Sequence, residues 1–233
     1  MNLSIWKNPA FVRYLPFATF MAFIGFYEVI RFFEGMEVFT LTETALYYLY
    51  PLEVIVVAII LIRFRHYYHE VSWRYLANLP VTLAVCGAGI LVFLLWIRMD
   101  WILPIAGSPK GFNPELLPGR GLQIVMTGFR IFGAVLVVPI MEELFWRSFL
   151  IRYIVDSDFE KIPIGHFSWT SFLMTVVLFG TEHHFFLAGM MAGTVYSVIL
   201  YRTRNIAQCI LAHAVTNLAL AVYVITTGQW RFW

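Results

Sequence analysis

The sequence predicts an all-α protein, a polytopic transmembrane helix bundle of about seven spans (six to eight). Three observations predict it. Hydrophobic residues make up 61% of the 233 and charged residues only 13%, with a mean hydropathy of +0.76, a balance that soluble globular domains do not keep. The apolar residues are gathered into runs, and a helix needs about 20 of them to cross hydrocarbon. Aromatic residues reach 18%, a surplus suited to the belts where a membrane meets water.

The runs lie at about 13–33, 44–63, 77–97, 131–153, 168–184, 186–201 and 205–227. The chain's start, MNLSIWKNPAFVRYLPFATF, gives the first run a positive flank and no small-residue cleavage site before the run is long enough to span, so this segment is expected to be retained. No linker cuts the chain into separate domains. The longest polar break, residues 98–120, is rich in Pro and Gly and divides an N-terminal set of transmembrane helices (1–119) from a back half (120–233) of four helices, expected to hold the functional core. Residues 121–130 either extend the fourth span or lie on the surface as an amphipathic lead-in, with a break at 130–133. There is no internal repeat.

Lys and Arg set the orientation. With the N-terminus inside, the inner segments hold Lys7, Arg13, Arg63, Arg65, Arg74, Arg152, Lys161, Arg202 and Arg204, and the outer ones Arg31, Arg98, Lys110, Arg120 and Arg231, nine against five. The expected location is the inner (plasma) membrane, multi-pass, with the lipid bilayer as constant partner. The net charge of +2 is spread over loops, which argues against nucleic acid. Cys86 and Cys209 sit in apolar stretches without metal-site spacing and read as packing residues.

Against this background three polar groups stand out, since a charge at the bilayer centre costs roughly 3 kcal/mol on insertion scales. In PIMEELFWRSFL, Glu143 and Arg147 stand one helical turn apart and can pair, while Glu142 points about 100° away and has no obvious local partner. In LFGTEHH, Phe179 and His183 share a face, Gly180 permits close helix approach, and Glu182 and His184 flank the histidine. In LAHAVTNLAL, His213 and Asn217 stand one turn apart between small residues. Taken singly, each group reads as interhelical glue. Together they bring a free carboxylate, two imidazoles and a carboxamide from three helices toward one place. Glu28 with Arg31, Glu53 near the start of the second span, and His66, His69 and His166 read as interfacial or surface residues.

A carboxylate shielded from water can take a proton from a bound water, which an imidazole can hold. A second imidazole and a carboxamide can donate to the oxyanion formed on a peptide carbonyl. These are the parts of peptide hydrolysis without a serine or cysteine nucleophile. A zinc site of Glu142, His183 and His213 is the competing chemistry, but the HExxH spacing is absent; the expectation is no cofactor, with zinc as the alternative.

The motifs EELFWR, FGTEH and HAVTN resemble, in order, the EExxxR, FxxxH and HxxxN motifs of the CPBP intramembrane proteases, the family of the CAAX prenyl endopeptidases and of bacterial bacteriocin-immunity proteins. The wording around them is most similar to a bacterial CAAX prenyl protease-related subgroup found beside exosortase and PEP-CTERM sorting systems. The resemblance covers roughly residues 120–227. It implies an intramembrane endopeptidase in which Glu142 activates water with His183, Glu143 supports the site or pairs with Arg147, and His213 with Asn217 stabilises the oxyanion. The implied substrate is a membrane-anchored or transmembrane peptide rather than a prenylated CAAX protein, and an exosortase-system component is an implied partner. Glu182 and His184 add titratable groups beyond a two-residue relay. The alternatives are a non-catalytic scaffold or chaperone in envelope protein sorting, and a proton-coupled transporter, against which the lack of an inverted repeat speaks. If the fourth span begins near Gly121, Glu142 falls at its inner end; a start near Ile131, the preferred arrangement, places it at mid-membrane beside a water-filled cavity.

Overall fold

The computed structural model describes residues 5–99 and 111–233; Lys110 of the charge count and part of the 98–120 loop lie outside them. The described residues form seven long helices and no strand. These are α1 Pro9–Gly35, α2 Ala45–Tyr67, α3 Leu79–Trp96, α4 Arg120–Tyr153, α5 Trp169–Thr181, α6 Phe186–Thr203 and α7 Ile206–Thr227. Every predicted apolar run is helical over most of its length.

Five helices, α1 to α4 and α7, are long and apolar enough to cross a membrane. The 13-residue α5 reaches only about 20 Å, short of a hydrocarbon core of about 30 Å. In α6 the apolar run is diluted by Gly, Thr, Ser and Tyr, and it buries Ala188, Gly189, Ala192, Gly193, Tyr196 and Ser197. It faces protein more than lipid.

The fourth span departs from the preferred reading. It does not begin near Ile131 but runs unbroken from Arg120 to Tyr153, 34 residues. Where a break was expected the helix widens instead, into π-helical turns at Gly133–Val137 and again at Leu144–Leu150. The local cause is legible. Val138 N–H bonds to the Gly133 carbonyl, five residues back. In that register the next donor, at Pro139, does not exist, so the Ala134 carbonyl must find another partner. Gly133 also lets α2 approach: a Cβ there would collide with the Tyr50 hydroxyl.

Helix α4 is the wall shared by two apolar clusters. On one side Val137, Met141 and Leu144 pack with Val12 of α1 and Val54 and Val57 of α2. On the other, Trp146 and Ile151 pack with Phe179, Tyr196, Ile206 and Cys209. Cys209 is a buried free thiol and Cys86 a half-buried one, in keeping with packing roles. Thr216 of α7 donates to the Gly89 carbonyl at 2.8 Å, closing α3 onto α7.

At the end where α1 begins and α2 and α4 finish, Arg13 and Arg152, counted above only for orientation, are part of the interior. Both are buried. Arg13 donates to both oxygens of Glu70, each at 2.8 Å, and to the Pro9 and Tyr67 carbonyls. Ser148 donates to Glu70 and accepts from Arg13 and Arg152, while Arg152 also reaches the Ile162 carbonyl. Burial works to raise the Glu70 carboxyl, but Arg13 and then Ser148 override it and hold it below the ordinary carboxylate range. Elsewhere Glu28 and Arg31 form the exposed pair expected, and His66, His69 and His166 are exposed. Glu53, however, is fully buried and accepts from Tyr27 at 2.7 Å.

Candidate active site

The paired glutamates lie between the two π segments of α4, so the helix is locally wide on both sides of them. Such turns are rare and gather at functional sites. Glu143 and Arg147 are both 0% exposed and paired at 3.1 Å, as their one-turn spacing requires. The same Glu143 oxygen accepts from His213 Nδ1 at 3.0 Å. Arg147 donates further to the Gly193 carbonyl and lies over the rings of Phe179 and Tyr196, at 4.6 and 5.5 Å. Tyr196 in turn stacks on the His213 ring at 4.9 Å. One carboxylate thus ties α4 to α7, and one guanidinium ties α4 to α5 and α6.

Glu142 is different. It is 8% exposed, and one of its carboxylate oxygens is buried with no hydrogen-bond partner in the protein. The ionisable groups that act on it are His213, Glu182, Glu143 and Arg147. His183 stands just beyond the end of α5, which stops at Thr181. This early end answers how a residue from the far end of the fifth run reaches the site: α5 is only about two thirds of a span long. The turn is tight, because a Cβ on Gly189 would lie 3.0 Å from the Gly180 backbone and 3.1 Å from the His183 ring. His183 is half-buried between Trp96, 5.2 Å away, and Phe179, 4.9 Å away.

The ring nitrogens follow from their partners. His183 Nδ1 faces the Phe179 carbonyl at 2.8 Å, which can only accept, so Nδ1 carries the proton and the neutral ring keeps its lone pair on Nε2. The carboxylate at His213 Nδ1 fixes the same tautomer there. Asn217 Nδ2 donates at 2.7 Å to the Ala134 carbonyl, the acceptor that Pro139 leaves without a backbone donor. It therefore braces the π turn and has one N–H remaining.

All five predicted site residues and Arg147 lie in this one region. The structure adds three that sequence reasoning missed or left aside: Trp146, whose Nε1 donates to Glu182 at 3.1 Å; Glu182 itself; and Tyr196. Trp146 lies inside the EELFWR motif, which was a signal, whereas nothing in the sequence marks Tyr196. His184 is exposed. Zinc needs at least three ligands about one point, and among the described residues no three of His, Cys, Asp and Glu are so gathered. No step below is routed through a metal.

No match was found among curated proteins or among solved structures. Residues 125–219 match the model of the family described as type II CAAX prenyl endopeptidase Rce1-like, a stretch of less than half the chain that holds Glu142, Glu143, Arg147, His183, His213 and Asn217. Over that stretch the chain is similar to the Rce1-like type II CAAX prenyl endopeptidases, and the match supports a membrane protein of the CAAX protease-like hydrolase type.

Proposed function

We propose that this protein is an intramembrane endopeptidase that hydrolyses a peptide bond of a membrane-anchored or transmembrane peptide. The observation that carries the reading is the contrast within one dipeptide: Glu143 is held through one oxygen by both Arg147 and His213, its other oxygen being unpartnered, while Glu142 is held by no ion pair and keeps a buried oxygen with no partner. A buried polar atom is rarely left so, and a carboxylate oxygen in that state suits an acceptor for a water proton.

In the proposed reaction Glu142 takes a proton from water, the resulting hydroxide attacks the scissile carbonyl, and Glu142 returns the proton to the leaving amine. One peptide bond and one water become a carboxylic acid and an amine. His183, its Nδ1–H fixed on Phe179, offers Nε2 as acceptor to orient that water. His213 Nε2, when the ring carries both protons, and the remaining Asn217 N–H serve the oxyanion. Glu143 and Arg147 position His213. We place the protein in the inner membrane, in a bacterial sorting context with an exosortase-system component as partner, on the wording of the motifs.

The test compares membrane proteomes of cells carrying wild type and Glu142→Gln at matched expression. Truncated membrane peptides confined to wild type are expected, and they name the substrate. Identical proteomes with a normally accumulating variant that still supports its phenotype would overturn the reading in favour of a scaffold.

A further inference from the structure

We propose that the end of α2 binds the headgroup of an anionic phospholipid, a site independent of the proteolytic reading. The groove there, about 410 Å³, is lined by Ile59, Ile62, Arg63, Arg65 and His66. Its two parts differ in chemistry as the parts of a lipid do. Ile59 and Ile62 are each 60% exposed on a helix apolar enough to cross the membrane, a wall for acyl chains. One turn on, Arg63, Arg65 and His66 are exposed and form the polar rim.

No acid competes for them. Among the described residues neither arginine has a carboxylate within salt-bridge distance, whereas Arg13, Arg31 and Lys161 each do. Glu70, the acid nearest in sequence, is taken up by Arg13 and Ser148. Arg65 uses one N–H on the Ile62 carbonyl, which steadies the guanidinium and leaves its other donors. Two guanidinium forks beside one groove suit a phosphate, which accepts from them in pairs. Depth agrees as well: Trp6, 38% exposed, stacks on Phe64 at 6.1 Å, and a half-exposed Trp marks the headgroup level. Basic pockets beside transmembrane helices hold anionic headgroups in this way.

The experiment is native mass spectrometry of the full chain released from nanodiscs of equimolar phosphatidylglycerol and phosphatidylcholine, comparing wild type with Arg63→Gln/Arg65→Gln and with Arg74→Gln/Arg202→Gln, exposed arginines away from the groove. Wild type is expected to retain phosphatidylglycerol over phosphatidylcholine, and the groove pair to lose on the order of fivefold of that preference per arginine, at an unchanged melting profile. The control pair should keep it. Equal retention of the two lipids by wild type, or equal loss in both double variants, would overturn the proposal; the second result would assign the preference to the diffuse basic belt.

Discussion

Helix α4 carries two groups of buried charge about a turn apart, and they are finished differently. At Ser148 and Arg152 each polar side chain has a partner: Arg13, Glu70, Ser148 and Arg152 exchange hydrogen bonds with one another and with four backbone carbonyls. Around Glu142 the group is incomplete, with an oxygen of Glu142, an oxygen of Glu143 and Nε of Arg147 lacking partners. A membrane interior gives no water to answer such atoms by default. The complete group is a fastener, and in the proposed reaction the incomplete one keeps places open for water or substrate.

The largest effect should come from breaking the pair that the two groups have in common as a type, an arginine on a buried carboxylate. Arg147→Leu leaves the fully buried Glu143 carboxylate with His213 alone. Unfolding in mixed detergent and SDS should show a loss of about 3–5 kcal/mol. A loss under about 1 kcal/mol would mean that the Arg147 guanidinium does not hold α4 to α6.

Glu70→Gln should cost less, about 1.5–3 kcal/mol by the same measurement, since it removes charge-assisted bonds yet leaves an amide that still accepts. It should also change the response to acid. In the folded protein the Glu70 carboxyl is held below the ordinary range by Arg13 and Ser148 against its burial. It therefore stabilises the fold above the unfolded-state carboxylate pKa, and that contribution is lost as pH falls through the lower, folded value. Wild type should lose stability over this acid limb and Glu70→Gln should not; parallel curves would show that the fastener does not depend on its charge.

Gly189→Ala comes next, at about 1–3 kcal/mol. The new methyl meets backbone on Gly180 and the His183 ring, and only the ring has room to yield. Proteolysis should fall further than stability does. Unchanged cleavage would mean that the ring's position is not set by this contact.

These two groups were not equally legible in the sequence. Glu143 with Arg147 can be read from a one-turn spacing, and the three ordered motifs bring His183, His213 and Asn217 to the same region. Glu70 could not be read: its partners stand 57 and 78 residues away in the chain, and its own surroundings, RFRHYYHE, look like a solvated loop. The helices were legible because hydrophobic runs report burial in lipid directly. The register within them was not. A π turn depends on which carbonyls find donors across the bundle, as Ala134 finds Asn217, and no local pattern carries that. Gly180 did hint that α5 stops early, which is what brings His183 to the glutamates.

The smallest effect on stability should be the most informative one. Glu142→Gln removes no ion pair and no hydrogen bond from the described structure, and the amide nearly matches the carboxylate in volume. Its unfolding free energy should stay within about 1 kcal/mol of wild type, while cleavage of the substrate is abolished. That pairing separates the two kinds of buried charge along α4: at Glu70 a neutral amide weakens the fold, and at Glu142 it leaves the fold alone and stops the reaction. Were Glu142→Gln to cost as much as Glu70→Gln, Glu142 would be a second fastener whose partner is a structural water, and the catalytic assignment would have to move to another group in the site.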